Sequence, residues 1–500
     1  MNSSSRIELR NGEAIGMAAL PCLSLPAFRE AVIQAVAGGA RIAALFAAPG
    51  DHSGPEDANM RPQRLIAVLA DDREGTLSIV SAEVREQYAA LTPDCPQAHG
   101  FEREIAEQSG IKPAGHPWLK PIRFQRNGPV GVTDFFRVDG EEIHEVAVGP
   151  VHAGIIEPGH FRFQCHGEQV LHLEISLGYQ HRGIERALIG GPHPRTIHHM
   201  ETLAGDTTIG HALAYCHAVE SLSGCRIPAR AQALRAVALE LERLSNHTGD
   251  LGALAGYVGF LPTSSFCGRL RGDFLNMTAM LCGSRFGRGF VRPGGIAFDV
   301  DATLIDDLRK RLVATFRDVS GAMHLLWETP SVMGRFENTG VVSLETATDL
   351  GLVGPAARAC GREIDVRRDF PSGIYRFAQL PISTMDSGDV FARAFVRWME
   401  IQRSVDFISR QLADLPAGAV RKPCGRLAPD SCVVSLQEGW RGEIVHVAMT
   451  DAAGRFARYK VVDSSFHNWM GLVLAMRNQE ISDFPLCNKS FNLSYCGHDL

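Results

Sequence analysis

The stretch Arg230–His247, RAQALRAVALELERLSNH, sets the character of the chain. Leu234, Val237, Leu241, Leu244 and Thr248 recur at helical steps, so they share one face of a helix predicted over Ala229–Gly249. Arg230, Glu240, Glu242 and Arg243 fall on the other face, where Glu240 and Glu242 read as a solvated or interface surface. Similar periods run outward from it, over His198–Leu222, Phe266–Phe286, Asp301–Leu326 and Asp389–Leu415. Upstream, Phe161–Gln164 and Val170–Ile175 alternate apolar and polar residues around His166-Gly167-Glu168, a hairpin pattern. Downstream, Leu436–Val462 is β-rich, with a turn at Asp451–Gly454. Near the start, Arg64–Ala70 and Thr76–Ala82 read as strands around the turn Asp71–Gly75, and Ser24 with Pro26 opens a helix within Leu20–Gly38. The segment Arg123–Gly149 carries Gly128, Pro129, Gly131 and Gly140 without a strong period, and reads as a linker. The expected fold class is α+β. A small N-terminal α+β domain (1–122) is followed by a linker (123–148) and a large, mainly helical domain (149–500) with β elements at both ends.

Composition narrows the function. The 500 residues are 45% hydrophobic and 21% charged, as in folded globular chains and unlike disordered ones. A formal net charge of -6 argues against a general nucleic-acid binder. No apolar run approaches the roughly 18–20 residues that span a bilayer, and Met1–Arg6 lacks a secretory pattern, so a cytoplasmic chain is expected. The 12 cysteines are scattered, with no C-x-x-C pair, and most are expected to be reduced, buried residues. No G-x-G-x-x-G or Walker loop is present, which leaves direct NADH binding unsupported.

Several segments resemble one superfamily. Glu102-Arg103-Glu104-Ile105, Gly110-Ile111 and Gly115–Pro121 resemble the end of the small accessory subunit of respiratory complex I. Gly149-Pro150-Val151-His152, the hairpin and Gly178-Tyr179-Gln180-His181-Arg182-Gly183-Ile184-Glu185 resemble the start of its quinone-site large subunit. Arg230–His247, Gly283–Gly295, Gly351–Asp369 with Pro371 and Tyr375, and Gly388-Asp389 with Arg393, Arg397 and Glu400 continue the match in order. Both modules fused in one chain resemble the large subunit of group 4 membrane-bound nickel–iron hydrogenases of the formate hydrogenlyase type.

The resemblance implies a ligand set of four thiolates, from one C-x-x-C near the start of the large module and one near its end. Here these positions read Ala204-Gly205-Asp206-Thr207 and Ser494-Tyr495-Cys496-Gly497, so all four cysteines are absent. Thiolates are what hold such a soft centre. Asp206, Thr207, Ser494 and Cys496 make a poor soft-metal site and an irregular hard-metal one, so no metal is expected. His193, His198, His199 and His211 do not read as a zinc site either, since neighbours on a helix point about 100° apart.

By the same resemblance, complex I presents a loop histidine and a tyrosine one helix later to a quinone head group. In this chain His152 matches the loop's first histidine, the quinone-facing one falls near Ile156, and the tyrosine position falls near His199-Met200. His152, His199, Asp206 and His211 are therefore the candidate catalytic residues. Arg182 and His247 match residues facing a 4Fe–4S cluster in a partner subunit, where a histidine can couple redox state to protonation. Without the resemblance, Arg182 reads as an ion-pair partner of Glu185 or Glu201, and His247 as a capping donor. Asp365-Val366-Arg367-Arg368-Asp369 reads equally as a proton path or a salt-bridge network.

The expectation is an oxidoreductase subunit without hydrogen chemistry, in a membrane-associated respiratory-type complex. It would couple electron transfer from the partner's cluster to proton or quinone chemistry. The alternative is a catalytically silent structural subunit. This chain itself is expected to bind no cofactor, with a quinone as the one candidate. Its expected partners are a small iron–sulfur subunit and integral-membrane antiporter-like subunits, with no nucleic acid, and its expected place is peripheral, on the cytoplasmic side of the inner membrane.

Overall fold

The computed structural model describes residues 6–50, 62–123, 134–152 and 157–500. At the N-terminal end, strands Arg41–Pro49, Gln63–Asp71, Thr76–Val84 and Ile7–Leu9 pair antiparallel in that order, and Cys22–Leu23 runs parallel to Thr76–Val84. Helix Leu25–Ala37 contacts this sheet, opened by the Ser24 hydroxyl accepting from the Ala27 amide. The two strands expected around Asp71–Gly75 are present, each slightly longer than its apolar run.

The hairpin is His160–His166 with Gln169–Ser176. Within the stretch read as a linker, Ile143–Val148 is a strand paired to His160–His166, and residues 124–133 lie outside the described part. The long helices are Ala229–Tyr257, Leu261–Cys282, Ala302–Trp327 and Val390–Ala413. Among the described residues, no helix is long and apolar enough to cross a membrane.

The predicted helix His198–Leu222 is instead two helices, Thr196–Met200 and Thr208–Leu222. The break is tertiary. Arg182 takes the carbonyls of Thr202 and Leu203 at 2.8 and 3.0 Å, and the Glu201 carboxylate is held by Arg292 and the Gly289 amide. Backbone groups bound outward in this way cannot close helical rings.

The C-terminal sheet positions the site. Strands Ser431–Gly439, Gly442–Thr450 and Phe456–Val462 form an antiparallel meander, edged by Ala14–Gly16 from the N-terminal region. Every residue of Ser431–Gly439 and Gly442–Thr450 is buried. A strand sends alternate side chains to opposite faces, and here the faces serve two cores. Cys432, Val434, Leu436, Val445, Val447 and Val462 join the N-terminal sheet, while Val433, Ala448, Tyr459 and Val461 join the helices. The sheet is the shared wall between the two halves.

The reading of Glu240 and Glu242 as a solvated or interface face needs correction. Both are buried, as is Arg243, because the central helix is enclosed on all sides. Burial of such charges requires partners, and each has them. Glu240 accepts from Tyr375, Ser404, Arg243 and Arg367. The same network takes in Asp365 and Arg367 of the segment Asp365–Asp369, since Arg367 bonds the Asp365 carboxylate at 2.6 Å, while exposed Arg368 pairs with Asp369.

Candidate functional site

The loop between the two short helices, Glu201–Thr207, is held from both ends. Arg182 grips its first half, and at the other end the Asp206 carbonyl accepts from the Trp440 indole and the Asn246 amide, each at 3.0 Å. The Asp206 carboxylate meets the Arg441 guanidinium in a two-point pair of 2.6 and 2.8 Å. Burial opposes ionisation of Asp206, but Arg441 prevails and keeps its pKa below the usual carboxylate value. Trp440 and Arg441 sit at the tip of the hairpin between Ser431–Gly439 and Gly442–Thr450, which places them over the loop. Arg441 also donates to the carbonyl of Asn492, beside the second loop.

In that second loop the Ser494 hydroxyl accepts from the Gly497 amide at 2.9 Å and lies 3.4 Å from the Cys496 sulfur. The Glu157 carboxylate accepts from the amides of Tyr495 and Cys496. Burial, then Glu157, pushes the Cys496 thiol up to about 12, so it stays protonated. Gly497 has a tight environment: a Cβ added there would stand 2.7 Å from Asp463 Cγ and about as close to both its oxygens. A cysteine at 497 therefore needs Asp463 to move. With one protonated thiol on the two loops, and the carboxylate of Asp206 already spent on Arg441, these residues do not fit a four-thiolate nickel–iron centre.

The candidates named from sequence separate into two groups. Asp206 and His211 lie on the loop and the helix that follows it. The His211 ring is fully buried, with Nε2 3.0 Å from Asp463 and Nδ1 3.1 Å from His446 Nε2. His247 packs edge-on to Trp440, with Nε2 2.8 Å from Glu400, so it is not a capping donor. Burial lowers its pKa, and its Nδ1 has no partner among the described residues. Arg182 bonds carbonyls of the loop rather than Glu185 or Glu201, which pair with Arg458 and Lys460 and with Arg292.

His152 and His199 stand apart. The His152 ring packs on Phe161, itself edge-on to Tyr495, and its Nε2 has no partner among the described residues. His199 is half-buried on Thr196–Met200. Among the described residues no hydrogen bond joins either ring to the Asp206–Arg441 pair. The second loop-histidine position, Ile156, is outside the described residues.

Sequence reasoning missed Arg441, Trp440, Asp463, His446, Tyr459 and Glu242. Glu242 accepts from the amides of Ile209 and Gly210 at the start of the helix Thr208–Leu222, and burial pushes its pKa up to about 8. One signal was available: Gly439-Trp440-Arg441-Gly442 is a hairpin tip carrying an aromatic–cation pair. A cavity of about 330 Å³, bordered by Leu213, His217, Gln232 and Tyr375, lies further along that helix and is not lined by either loop.

The family model of the respiratory-chain NADH dehydrogenase 49 kDa subunit matches residues 257–431. The chain is 31% identical over 353 residues to the carbon monoxide-induced hydrogenase of Rhodospirillum rubrum, covering 70% of this chain and 97% of that one. It is 30% identical over 442 residues to formate hydrogenlyase subunit 5 of Escherichia coli (strain K12), covering 82% and 76%. NADH-quinone oxidoreductase subunit 4 of Thermus thermophilus is 28% identical over 369 residues, covering 68% and 90%. The chain thus belongs to the family of the respiratory-chain NADH dehydrogenase 49 kDa subunit and its hydrogenase and formate hydrogenlyase relatives.

Proposed function

We propose that the chain is a hydrogenase-like large subunit that does not evolve hydrogen, working in a membrane-associated respiratory-type redox complex. It couples electrons from a 4Fe–4S cluster on a small partner subunit to proton or quinone chemistry beside the two loops. The observation that carries this reading is the donor set at those loops. Ala204, Thr207, Ser494 and Gly497 supply no thiolate, and Asp463 crowds the place of a Cβ at 497. The names of the relatives, a hydrogenase, a hydrogenlyase subunit and a quinone oxidoreductase subunit, share redox chemistry and support the electron-transfer part.

In this reading Arg182 and His247 face the partner's cluster. His247 is fully buried within this chain, against Trp440 and Glu400, so it bears on the cluster through the residues that cover it rather than by contact. His152 and His199 are the candidate donors to a quinone head group. Antiporter-like membrane subunits lie beneath, and the chain is peripheral on the cytoplasmic side.

The test is to isolate the chain with its iron–sulfur partner, reduce the cluster with dithionite, and follow reoxidation by decylubiquinone. Quinone coupling predicts reoxidation that slows in His152→Ala or His199→Ala while the complex stays assembled. Unchanged rates in both variants favour a structural subunit.

A further inference from the structure

We propose that Tyr459, His446, His211 and Asp463 form a proton relay through the protein to the loop Ser494–Gly497. The inference deepens the function proposed above, since it supplies the proton route that such coupling requires, and it rests on that reading.

The four side chains come from four elements. Tyr459 is on the strand Phe456–Val462, His446 on Gly442–Thr450 and His211 on Thr208–Leu222, while Asp463 caps the helix Ser464–Ala475. Tyr459 pairs with Ala448, two residues from His446 on the same face, so hydroxyl and imidazole are diagonal neighbours across the strands. All four are at most 1% exposed. Tyr459 Oη lies 2.9 Å from His446 Nδ1, His446 Nε2 lies 3.1 Å from His211 Nδ1, and His211 Nε2 lies 3.0 Å from Asp463 Oδ2.

The direction of these bonds follows from chemistry. Asp463 is an acceptor, because burial is outweighed by the His211 bond and by Arg441, and its pKa lies well below the usual range. His211 Nε2 therefore donates. Burial holds His446 neutral, so its ring has one donor and one acceptor. With both rings neutral, the arrangement that satisfies every atom has the Tyr459 hydroxyl donating to His446 Nδ1, His446 Nε2–H donating to His211 Nδ1, and His211 Nε2–H donating to Asp463. Three donors in series point toward the loop.

Other histidines differ. Buried His247 and His467, and half-buried His99, His152 and His172, each leave a ring nitrogen without a partner among the described residues, whereas His211 and His446 use both. A purely structural bridge between Tyr459 and Asp463 does not need two desolvated imidazoles in contact. Imidazoles are the side chains that accept a proton on one nitrogen and release another from the second.

The step balances without an electron. One proton is taken up at the Tyr459 oxygen, which solvent reaches only through local opening of its buried surroundings, as the hydroxyl proton passes to His446 Nδ1. The proton on His446 Nε2 passes to His211 Nδ1, and that on His211 Nε2 passes to Asp463, from which the reduced quinone of the proposed function takes it up at the loop. Both rings end in the opposite tautomer, and rotation of both rings with the Tyr459 hydroxyl resets them for the next proton.

Gly497 lets the terminal carboxylate approach the loop, where a Cβ would meet it at 2.7 Å. Charged neighbours are Arg441 and Asp206 at the Asp463 end and Glu185 near His446. At the far end Tyr459 faces the Tyr215 ring, centroids 6.4 Å apart, and Cys216.

Histidine-selective nitrogen-15 NMR on the full chain with its iron–sulfur partner, wild type against Tyr459→Phe, tests the inference. The wild type should show His446 protonated on Nε2, and the variant should move the Nδ1 signal toward that of an unbonded nitrogen. In the same variant, reoxidation of the dithionite-reduced cluster by decylubiquinone should slow by about tenfold or more, with a larger solvent isotope effect. His446 protonated on Nδ1 in the wild type, or an unchanged rate in Tyr459→Phe, overturns the relay. A wild-type cluster that is never reoxidised overturns the coupling reading and the relay's role with it, while the tautomers are still read from the spectrum. Should Tyr459→Phe fail to assemble, His446→Gln, which keeps one donor and one acceptor but cannot relay, takes its place under the same criteria.

Discussion

Two stripes of one helix solve the problem of buried polarity in opposite ways. Along Ala229–Tyr257, residues Glu240, Arg243 and His247 face an ion network, whereas Glu242 and Asn246 face the loop before Thr208–Leu222. On the first stripe the carboxylates of Glu240, Asp365, Glu400 and Glu438 meet the guanidiniums of Arg243, Arg358 and Arg367. Four acids face three bases, and Glu438 is the acid whose pKa rises, to about 7, through burial and then Asp365. On the second stripe Glu242 has only backbone amides among the described residues, and the Asp206 end of the loop is paired to the cation Arg441. Shared charges make the first region over-determined, while the second can change its chemistry without unfolding the core.

The sharpest break of this contrast is Glu400→Ala. Burial opposes its charge, but Arg358 and then His247 hold the Glu400 pKa well below the usual range. Removing it leaves Arg358 to Glu438 and Asp365, and Arg243 to Glu240, with one acid fewer for the same buried cations, at an expected cost of about 3–5 kcal/mol, measured by denaturant unfolding. A loss below about 1 kcal/mol, the scale of an exposed pair, would show that the network is not interdependent. Next is Gly497→Cys, where the new Cβ displaces Asp463. Unfolding should register about 1–3 kcal/mol of overpacking, and no change would mean that the loop has room for a thiolate. Asp206→Asn should cost less, about 1 kcal/mol, because the Asp206 side chain is 34% exposed and solvent screens its pair with Arg441. Amide exchange in Glu201–Thr207 should rise with it.

The last prediction is one of pH. Glu242 titrates near 8 in the folded chain and near 4.5 when unfolded, so the native state holds its proton longer. Its contribution is intact below about 4.5 and is lost as pH rises toward 8. Glu242→Gln should leave stability little changed at pH 4 and flatten the decline between the two values. Identical pH profiles would remove Glu242 from the account.

Much of the fold was legible. Short apolar runs on either side of the turn Asp71–Gly75 gave the strands Gln63–Asp71 and Thr76–Val84, and Ser24 with Pro26 marked the start of Leu25–Ala37, because these signals are local. The break at Glu201–Thr207 was not, since Arg182, Arg292 and the Gly289 amide impose it from outside the segment. The charges of Ala229–Gly249 were misread for a related reason. Glu240 pairs with Arg367, 127 positions away in sequence, and no local period reports that. The loops of the candidate site were located through the resemblance, but their closure by Arg441, and the line from Tyr459 to Asp463, exist only once the C-terminal meander folds against the helices.

The central claim is that this subunit keeps the hydrogenase layout without its metal chemistry. The most direct measurement is nickel, iron and zinc content of the chain isolated with its iron–sulfur partner, together with hydrogen uptake. The account predicts iron confined to the partner, no nickel and no hydrogen turnover. Stoichiometric nickel with hydrogen uptake would contradict it, because Ala204, Thr207, Ser494 and Gly497 could not then be the residues that decide the metal site.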